Sequence, residues 1–328
     1  MESTTCLVLS GGIALGAYEG GAYEALHERR ELWPRSIAGS SVGAVNGAII
    51  AGTPPRERVR ALREFWRGNQ SDLWWPGARW VAEAPAAFRR AYRWGLALQT
   101  RVVGCPSVMR PRGVEAALGM GLGVYDLSPL RARLTKIIDF ERLNRGEVRL
   151  AVMTTDLETV ETVVFDTGRG DVIGPEHLIA SCGLVPEFQP MEVGGRLLGD
   201  GGLAANAPLE AVLEEDGLED GALCFVVDLF DSTGERPRTL AQSASRALDL
   251  FYGNQTDRLL RAHGADGASG TVVGERTRVV PVRYRMRPEE PGPHRLFDFS
   301  TVALNERWAA GSSDMTEAIG RLSHELAA

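Results

Sequence analysis

Gly39-Ser40-Ser41-Val42-Gly43 fits the pattern G-x-S-x-G. A serine becomes a nucleophile when a sharp strand-to-helix turn holds its hydroxyl clear of the backbone, and flanking glycines let the chain fold that tightly. The helix that follows turns its positive end back toward such a site. Ser10-Gly11-Gly12-Ile13-Ala14-Leu15-Gly16 is a second glycine turn opening a helix. Acyl transfer builds negative charge on a carbonyl oxygen, and preorganised backbone amides stabilise it, so Gly11, Gly12 and Ile13 are candidates for an oxyanion hole. The third segment, Asp200-Gly201-Gly202, sets a carboxylate at the end of a strand, where it could accept a serine proton. An ordinary carboxyl with a pKa of about 3.9 is a weak base, which shifts much of the work to the oxyanion donors. Each segment has a plainer reading: the first as an ordinary βα turn, the second as a phosphate-binding turn, the third as a simple turn.

These residues need a scaffold that brings them together. Cys6-Leu7-Val8-Leu9 reads as a buried strand, followed by a helical pattern through Leu15, Tyr18, Ala22, Ala25 and Leu26. Ile37-Ala38 ends a second strand, and the residues from Ala44 to Ala51 form a helix stopped by Gly52 and Pro54. Leu130 to Ile138 reads as a helix, Val148 to Thr154 and Thr162 to Phe165 as a hairpin, and Pro175 to Ser181 as a helix start. Arg196 to Gly199 leads into Asp200, and Leu223 to Leu229 is a buried strand. Alternating strands and helices imply a mostly parallel sheet with crossover helices.

Composition narrows the function. A net charge of -7 disfavours a dedicated nucleic-acid binder. The four cysteines, Cys6, Cys105, Cys182 and Cys224, form no C-x-x-C pair, so the pattern indicates neither a zinc site nor a disulfide framework. A P-loop is excluded because no Gly-Lys-Ser/Thr follows the first turn, and the spacing is not G-x-G-x-x-G. No apolar run reaches the ~20 residues of a membrane-spanning helix. The first residues carry no basic region followed by an apolar one, so the expected location is cytoplasmic, with any membrane contact peripheral. The five histidines (His27, His177, His263, His294 and His324) read as structural.

Together the glycine turn, the G-x-S-x-G some thirty residues later and the late Asp-Gly-Gly resemble the patatin-like phospholipase family, over roughly residues 5–230. Ala180-Ser181-Cys182-Gly183-Leu184-Val185-Pro186 also resembles that family's stretch before Asp-Gly-Gly. Tyr125-Asp126-Leu127-Ser128-Pro129-Leu130 and the residues from Phe225 to Phe230 are similar to bacterial members with an extra C-terminal domain. The resemblance implies a three-layer α/β/α sandwich and a Ser41–Asp200 dyad without histidine. It further implies an oxyanion hole at the Gly11-Gly12 turn, supporting glycines at 39, 43, 201 and 202, and hydrolysis of phospholipid or other lipid esters through an acyl-serine. That chemistry needs no metal or cofactor. Two positions depart from the family: Ile13 replaces a glycine, and Leu15 replaces a basic residue found in several members. Competing readings are an acyltransferase of related fold and a non-catalytic membrane-associated scaffold.

Residues 65–112 interrupt the α/β rhythm. They hold five of the seven tryptophans, and from Leu73 to Arg112 seven arginines face one acid, Glu83. This segment is expected to be an inserted cap, either a lid whose tryptophans pack over the site or an interfacial lipid-binding surface. Residues 231–328 are expected to form a smaller accessory region. Within it Arg283-Tyr284-Arg285-Met286-Arg287 alternates as a solvated edge strand would. The oligomeric state is not set by the sequence.

Overall fold

The computed structural model describes residues 4–69, 84–113, 115, 118–213, 222–262, 271–273, 277–287, 290 and 292–327. Its frame is a sheet of nine strands among the described residues. In chain order the strands are β1 (Thr5–Leu9), β2 (Ser36–Ser40), β5 (Arg149–Asp156), β6 (Thr162–Asp166), β7 (Met191–Val193), β8 (Arg196–Asp200), β9 (Ala222–Asp228), β10 (Thr271–Val273) and β11 (Thr277–Arg283). The short pair β3 (Arg110–Pro111) and β4 (Tyr125–Asp126) stands apart. The sheet order is β10-β11-β9-β1-β2-β5-β8-β7, with β6 also pairing β5. The run β11, β9, β1, β2, β5 is parallel, and the flanking strands are antiparallel.

Alternation along each strand divides the core into two layers. Leu7, Leu9, Ile37, Leu150, Phe225 and Val227 face one cluster, which is completed by α1 (Ala17–His27), α2 (Val42–Ala51), α3 (Arg58–Gly68) and α10 (Thr301–Ala327). Cys6, Val8, Ala38, Ala151, Cys224 and Val226 face the other, beneath α8 (Glu210–Leu213) and α9 (Leu240–Ala262). Strands buried on both faces need such continuous apolar runs. The three-layer sandwich expected from the sequence is the fold observed. The remaining helices are α4 (Ala86–Val103), α5 (Ser128–Ile137), α6 (Phe140–Asn144) and α7 (Pro175–Ser181).

Three expectations change. Phe65 and Trp66 belong to the core helix α3 and are buried, so the cap begins after them. Trp74, Trp75, Trp80 and Arg79 lie outside the described residues. In α4, Arg93, Leu96, Ala97 and Thr100 face inward at helical spacing, while Trp94 is 47% exposed, so this tryptophan does not close over the site and Arg93 is not a solvated charge. Residues 231–328 do not stand apart from the sheet, because β11 pairs β9 along seven residues. Of the arginine-alternating stretch only Arg283 lies in the sheet, as the last residue of β11, and β10 pairs β11 only over Thr277–Val279, so residues 284–287 form no strand.

Helix α10 packs on α1 at backbone contact distance. A Cβ at Gly21 would lie 1.9 Å from the Trp308 carbonyl oxygen, and one at Gly311 would lie 1.9 Å from the Tyr18 carbonyl oxygen. Glycine at both positions is what permits this crossing.

Candidate active site

Register brings the serine and the aspartate to one level of the sheet. Ser40 on β2 pairs with Met153 on β5, and the next residue of β5, Thr154, pairs with Asp200 on β8. Ser41 and Asp200 thus flank β5 across two strand spacings, about 10 Å between backbones, a gap their inward side chains can close. Gly11 follows β1 on the other side of β2 and lies against the elbow: a Cβ there would sit 3.1 Å from the Ser41 Cβ.

The elbow is strained. Ser41 has φ 54° and ψ -123°, a combination rare for a side-chain-bearing residue, as it caps α2. Such backbone costs on the order of 1–3 kcal/mol and persists only where the surroundings fix it. The Ser41 amide donates to the Ser181 hydroxyl at 2.8 Å, and that hydroxyl donates to the Met153 carbonyl at 2.6 Å. Ser40 donates through its hydroxyl to the Ala205 carbonyl. A Cβ at Gly43 would fall 2.3 Å from the Leu9 carbonyl oxygen, so the turn requires glycine there.

Asp200 is 4% exposed. Its Oδ1 accepts from the Gly202 amide at 2.7 Å, its own amide donates to the Gly183 carbonyl, and its carbonyl accepts from the Thr155 hydroxyl. Burial pushes the carboxyl up to about 6, opposed by the Ser41 hydroxyl and the Gly202 amide, which favour the ionised form. Burial moves it toward the range useful for a base at neutral pH. The neighbouring Cys182 thiol is pushed well up by burial and by the Asp200 charge, so it stays protonated.

The first glycine turn is held by its carbonyls. Gly11 exchanges bonds with Asn206, its amide donating to the Asn206 carbonyl and its carbonyl accepting from Asn206 Nδ2. The Gly12 carbonyl accepts from the Leu15 amide, the Ala14 carbonyl from Arg307, and the Gly16 carbonyl from Asn46 Nδ2. Asn46 also donates to Glu19 and accepts from the Trp66 indole. The amides of Gly12 and Ile13 donate to no acceptor among the described residues. Ile13 has φ 52°, the left-handed region that disfavours β-branched residues.

Gly11, Gly12, Ile13, Ser41, Asp200 and Asn206 line one small pocket, walled by Leu184, Phe230, Tyr252 and Leu296. Ser41 and Ile13 also open onto a narrow apolar cavity between Val45, Phe65, Trp66, Val108, Leu130, Phe188 and Phe299. None of the described histidines lines either cavity. Among the described residues no cluster of His, Cys, Asp or Glu is arranged to hold a metal ion.

The sequence-derived candidates Ser41, Asp200, Gly11, Gly12 and Ile13 therefore meet in one place, with Gly39, Gly43, Gly201 and Gly202 in the turns that support them. Asn206 and Ser181 were visible only as neighbours of motifs. Their roles as braces depend on contacts 195 and 140 residues away.

Residues 7–213 match the family model described as Patatin-like phospholipase. The chain belongs to the patatin-like phospholipase family. No curated protein matches it significantly. In fold it is similar to VipD from Legionella pneumophila, at 16% identity and a TM-score of 0.48, over 98% of this chain and 67% of that one. Human GIVD cytosolic phospholipase A2 in complex with methyl gamma-linolenyl fluorophosphonate is similar at 13% identity and a TM-score of 0.45, over 98% and 58%. ExoU of Pseudomonas aeruginosa, in complex with SpcU, is similar at 15% and 0.41, over 98% and 52%. The chain thus spans between 52% and 67% of the length of these proteins.

Proposed function

We propose that this chain hydrolyses lipid acyl esters with Ser41 as nucleophile, Asp200 as general base and the Gly12 and Ile13 amides as oxyanion donors, in a turn anchored by the Gly11 amide on the Asn206 carbonyl. The carrying observation is that all five residues line one cavity, with burial raising Asp200 to about 6. Asp200 takes the proton of the Ser41 hydroxyl as its oxygen attacks the ester carbonyl. The negative charge on the tetrahedral oxygen falls to the unpartnered Gly12 and Ile13 amides. Collapse expels the alcohol, which takes its proton from Asp200. Water, deprotonated by Asp200, attacks acyl-Ser41, and collapse releases the acid as Asp200 returns the proton to the Ser41 oxygen.

The apolar cavity beside Ser41 supports an acyl tail as the group bound there, since its walls from Val45 to Phe299 are almost wholly hydrocarbon. Contact with a lipid surface is supported by α4, whose outer face carries Trp94, Leu98 and Val102 four residues apart, 47%, 38% and 66% exposed, with Arg90 beside them. No helix of the described residues is long and apolar enough to cross a membrane, so this contact is peripheral in the proposal. The test is labelling with a fluorophosphonate followed by site identification, alongside hydrolysis of a nitrophenyl acyl ester. Label on Ser41 and an inactive Ser41→Ala protein are expected; a Ser41→Ala protein working at the wild-type rate would refute the dyad.

A further inference from the structure

Arg307 lies on α10, 1% exposed, and each of its donor nitrogens is engaged. Nε and Nη2 donate to Glu290 Oε1 at 3.3 and 2.9 Å. Nη2 also donates to the Arg295 carbonyl at 3.0 Å, and Nη1 donates to the Asp298 carbonyl at 2.9 Å and the Ala14 carbonyl at 3.1 Å. The last bond crosses 293 residues of sequence and lands one residue after Ile13. The other two carbonyls bracket the segment whose Leu296 and neighbouring Phe299 wall the catalytic and apolar cavities.

We propose that Arg307 is a positioning residue for the oxyanion turn, clamping the Ala14 carbonyl to the opposite wall of the cavity so that the Gly12 and Ile13 amides stay aimed at the reacting oxygen. The catalytic part of this inference rests on the dyad reading above. The physical need is plain: Ile13 at φ 52° is a strained residue, and a peptide unit relaxing toward ordinary φ would rotate the amides out of the cavity. A guanidinium suits the task because its rigid fork holds several acceptors in one plane, where an ammonium would choose among them. Glu290 compensates the buried charge, and Arg93 of α4 shares it, donating to Glu290 and to Asp298 at 3.3 and 3.0 Å. Arg93 makes no bond to the turn, which provides an internal control.

The experiment compares Arg307→Met/Glu290→Gln, in which no unpaired charge is left on Glu290 by losing Arg307, with Arg93→Met. Three quantities are read in the full-length chain: kcat and KM on a nitrophenyl acyl ester, the rate of fluorophosphonate labelling, and amide hydrogen exchange of a peptide covering residues 11–16. The double variant is expected to lose about ten- to a hundredfold in kcat and in labelling rate, with KM within about threefold and faster exchange in that peptide. Arg93→Met is expected to lower the melting temperature while keeping kcat and exchange near wild type. Wild-type kcat and exchange in the double variant would overturn the proposal, as would an equal loss in Arg93→Met. If the double variant does not fold, Arg307→Lys replaces it, with the same outcomes expected. Should Ser41→Ala keep the wild-type rate, the dyad fails, and the exchange measurement alone then decides whether Arg307 holds the turn.

Discussion

Asp200 shows how one side chain links stability to chemistry. Its carboxyl sits at about 6 in the fold against an ordinary 3.8, because burial disfavours the charge more than Ser41 and Gly202 stabilise it. A group raised in this way contributes stability that is fully present below pH 3.8 and is lost as pH rises through 6. At neutral pH the ionised carboxylate therefore weakens the fold by about 3 kcal/mol. Asp200→Asn is expected to raise unfolding free energy at pH 7.5 by about that amount in urea titrations, with the gain vanishing near pH 4, while kcat falls by at least about a thousandfold. If Asp200 is the base, as proposed, wild-type kcat/KM is expected to fall about tenfold per pH unit below 6, as its carboxylate is protonated. Ser41 and Asp200 were readable from sequence because each sits in a local pattern of glycines that reports the backbone it needs. Ser181, whose hydroxyl fixes the Ser41 amide, has no such signature. Nothing in the local sequence records that a serine at the end of one helix meets an elbow 140 residues earlier.

Among elements, the glycine turn and the cap helix make different demands. The turn needs an amide at position 13, and the side chain there is secondary to that. Ile13→Gly removes the left-handed penalty and keeps the donor, so stability is expected to change by no more than about 1 kcal/mol and kcat by less than about fivefold. Because the isoleucine side chain lines both cavities, KM for long-chain esters is expected to rise severalfold, measurable across a series of acyl lengths. For α4 the outer face is the relevant one. Trp94→Glu/Val102→Glu is expected to reduce binding to anionic vesicles about tenfold in co-sedimentation, since both residues are exposed apolar groups on one face. Its rate on a soluble short-chain nitrophenyl ester should remain within about twofold. Unchanged vesicle binding would remove the interfacial role. The strands and the first two helices were legible because they are short runs of apolar and small residues, and a glycine turn leads from strand into helix at each of the first two crossovers. The cap was legible as an interruption, but not in its boundary. Phe65 and Trp66 share the aromatic character of the insert, yet they complete the inward stripe of α3, and only packing tells the two apart.

At the scale of the whole molecule, the residues beyond 230 are what a local reading misplaces. Their polar composition suggests an appendage, yet β11 extends the parallel sheet and α10 lies directly on α1, the helix that the oxyanion turn opens. The sequence carries this only as Gly20, Gly21 and Gly311, whose purpose depends on two helices separated by almost the whole chain. The same helix supplies a matched pair of substitutions that tests the reading. At Gly311 an added methyl would meet the Tyr18 carbonyl oxygen at 1.9 Å, so the helices must separate, and backbone cannot move aside as a flexible side chain would. Gly311→Ala is expected to destabilise the fold by about 1–3 kcal/mol or more. It should also slow ester hydrolysis, because Arg307 lies one helical turn away and would be drawn off the Ala14 carbonyl. At Gly320 a Cβ has open space, and the residue is exposed within the helix, so Gly320→Ala should stabilise by about 1 kcal/mol through helix propensity alone and leave kcat unchanged. Urea denaturation and steady-state rates on both proteins decide the matter. Equal effects at the two positions would mean that α10 is an appendage after all. Opposite signs, with activity following only Gly311, would make the C-terminal helix part of the scaffold that aims the catalytic turn.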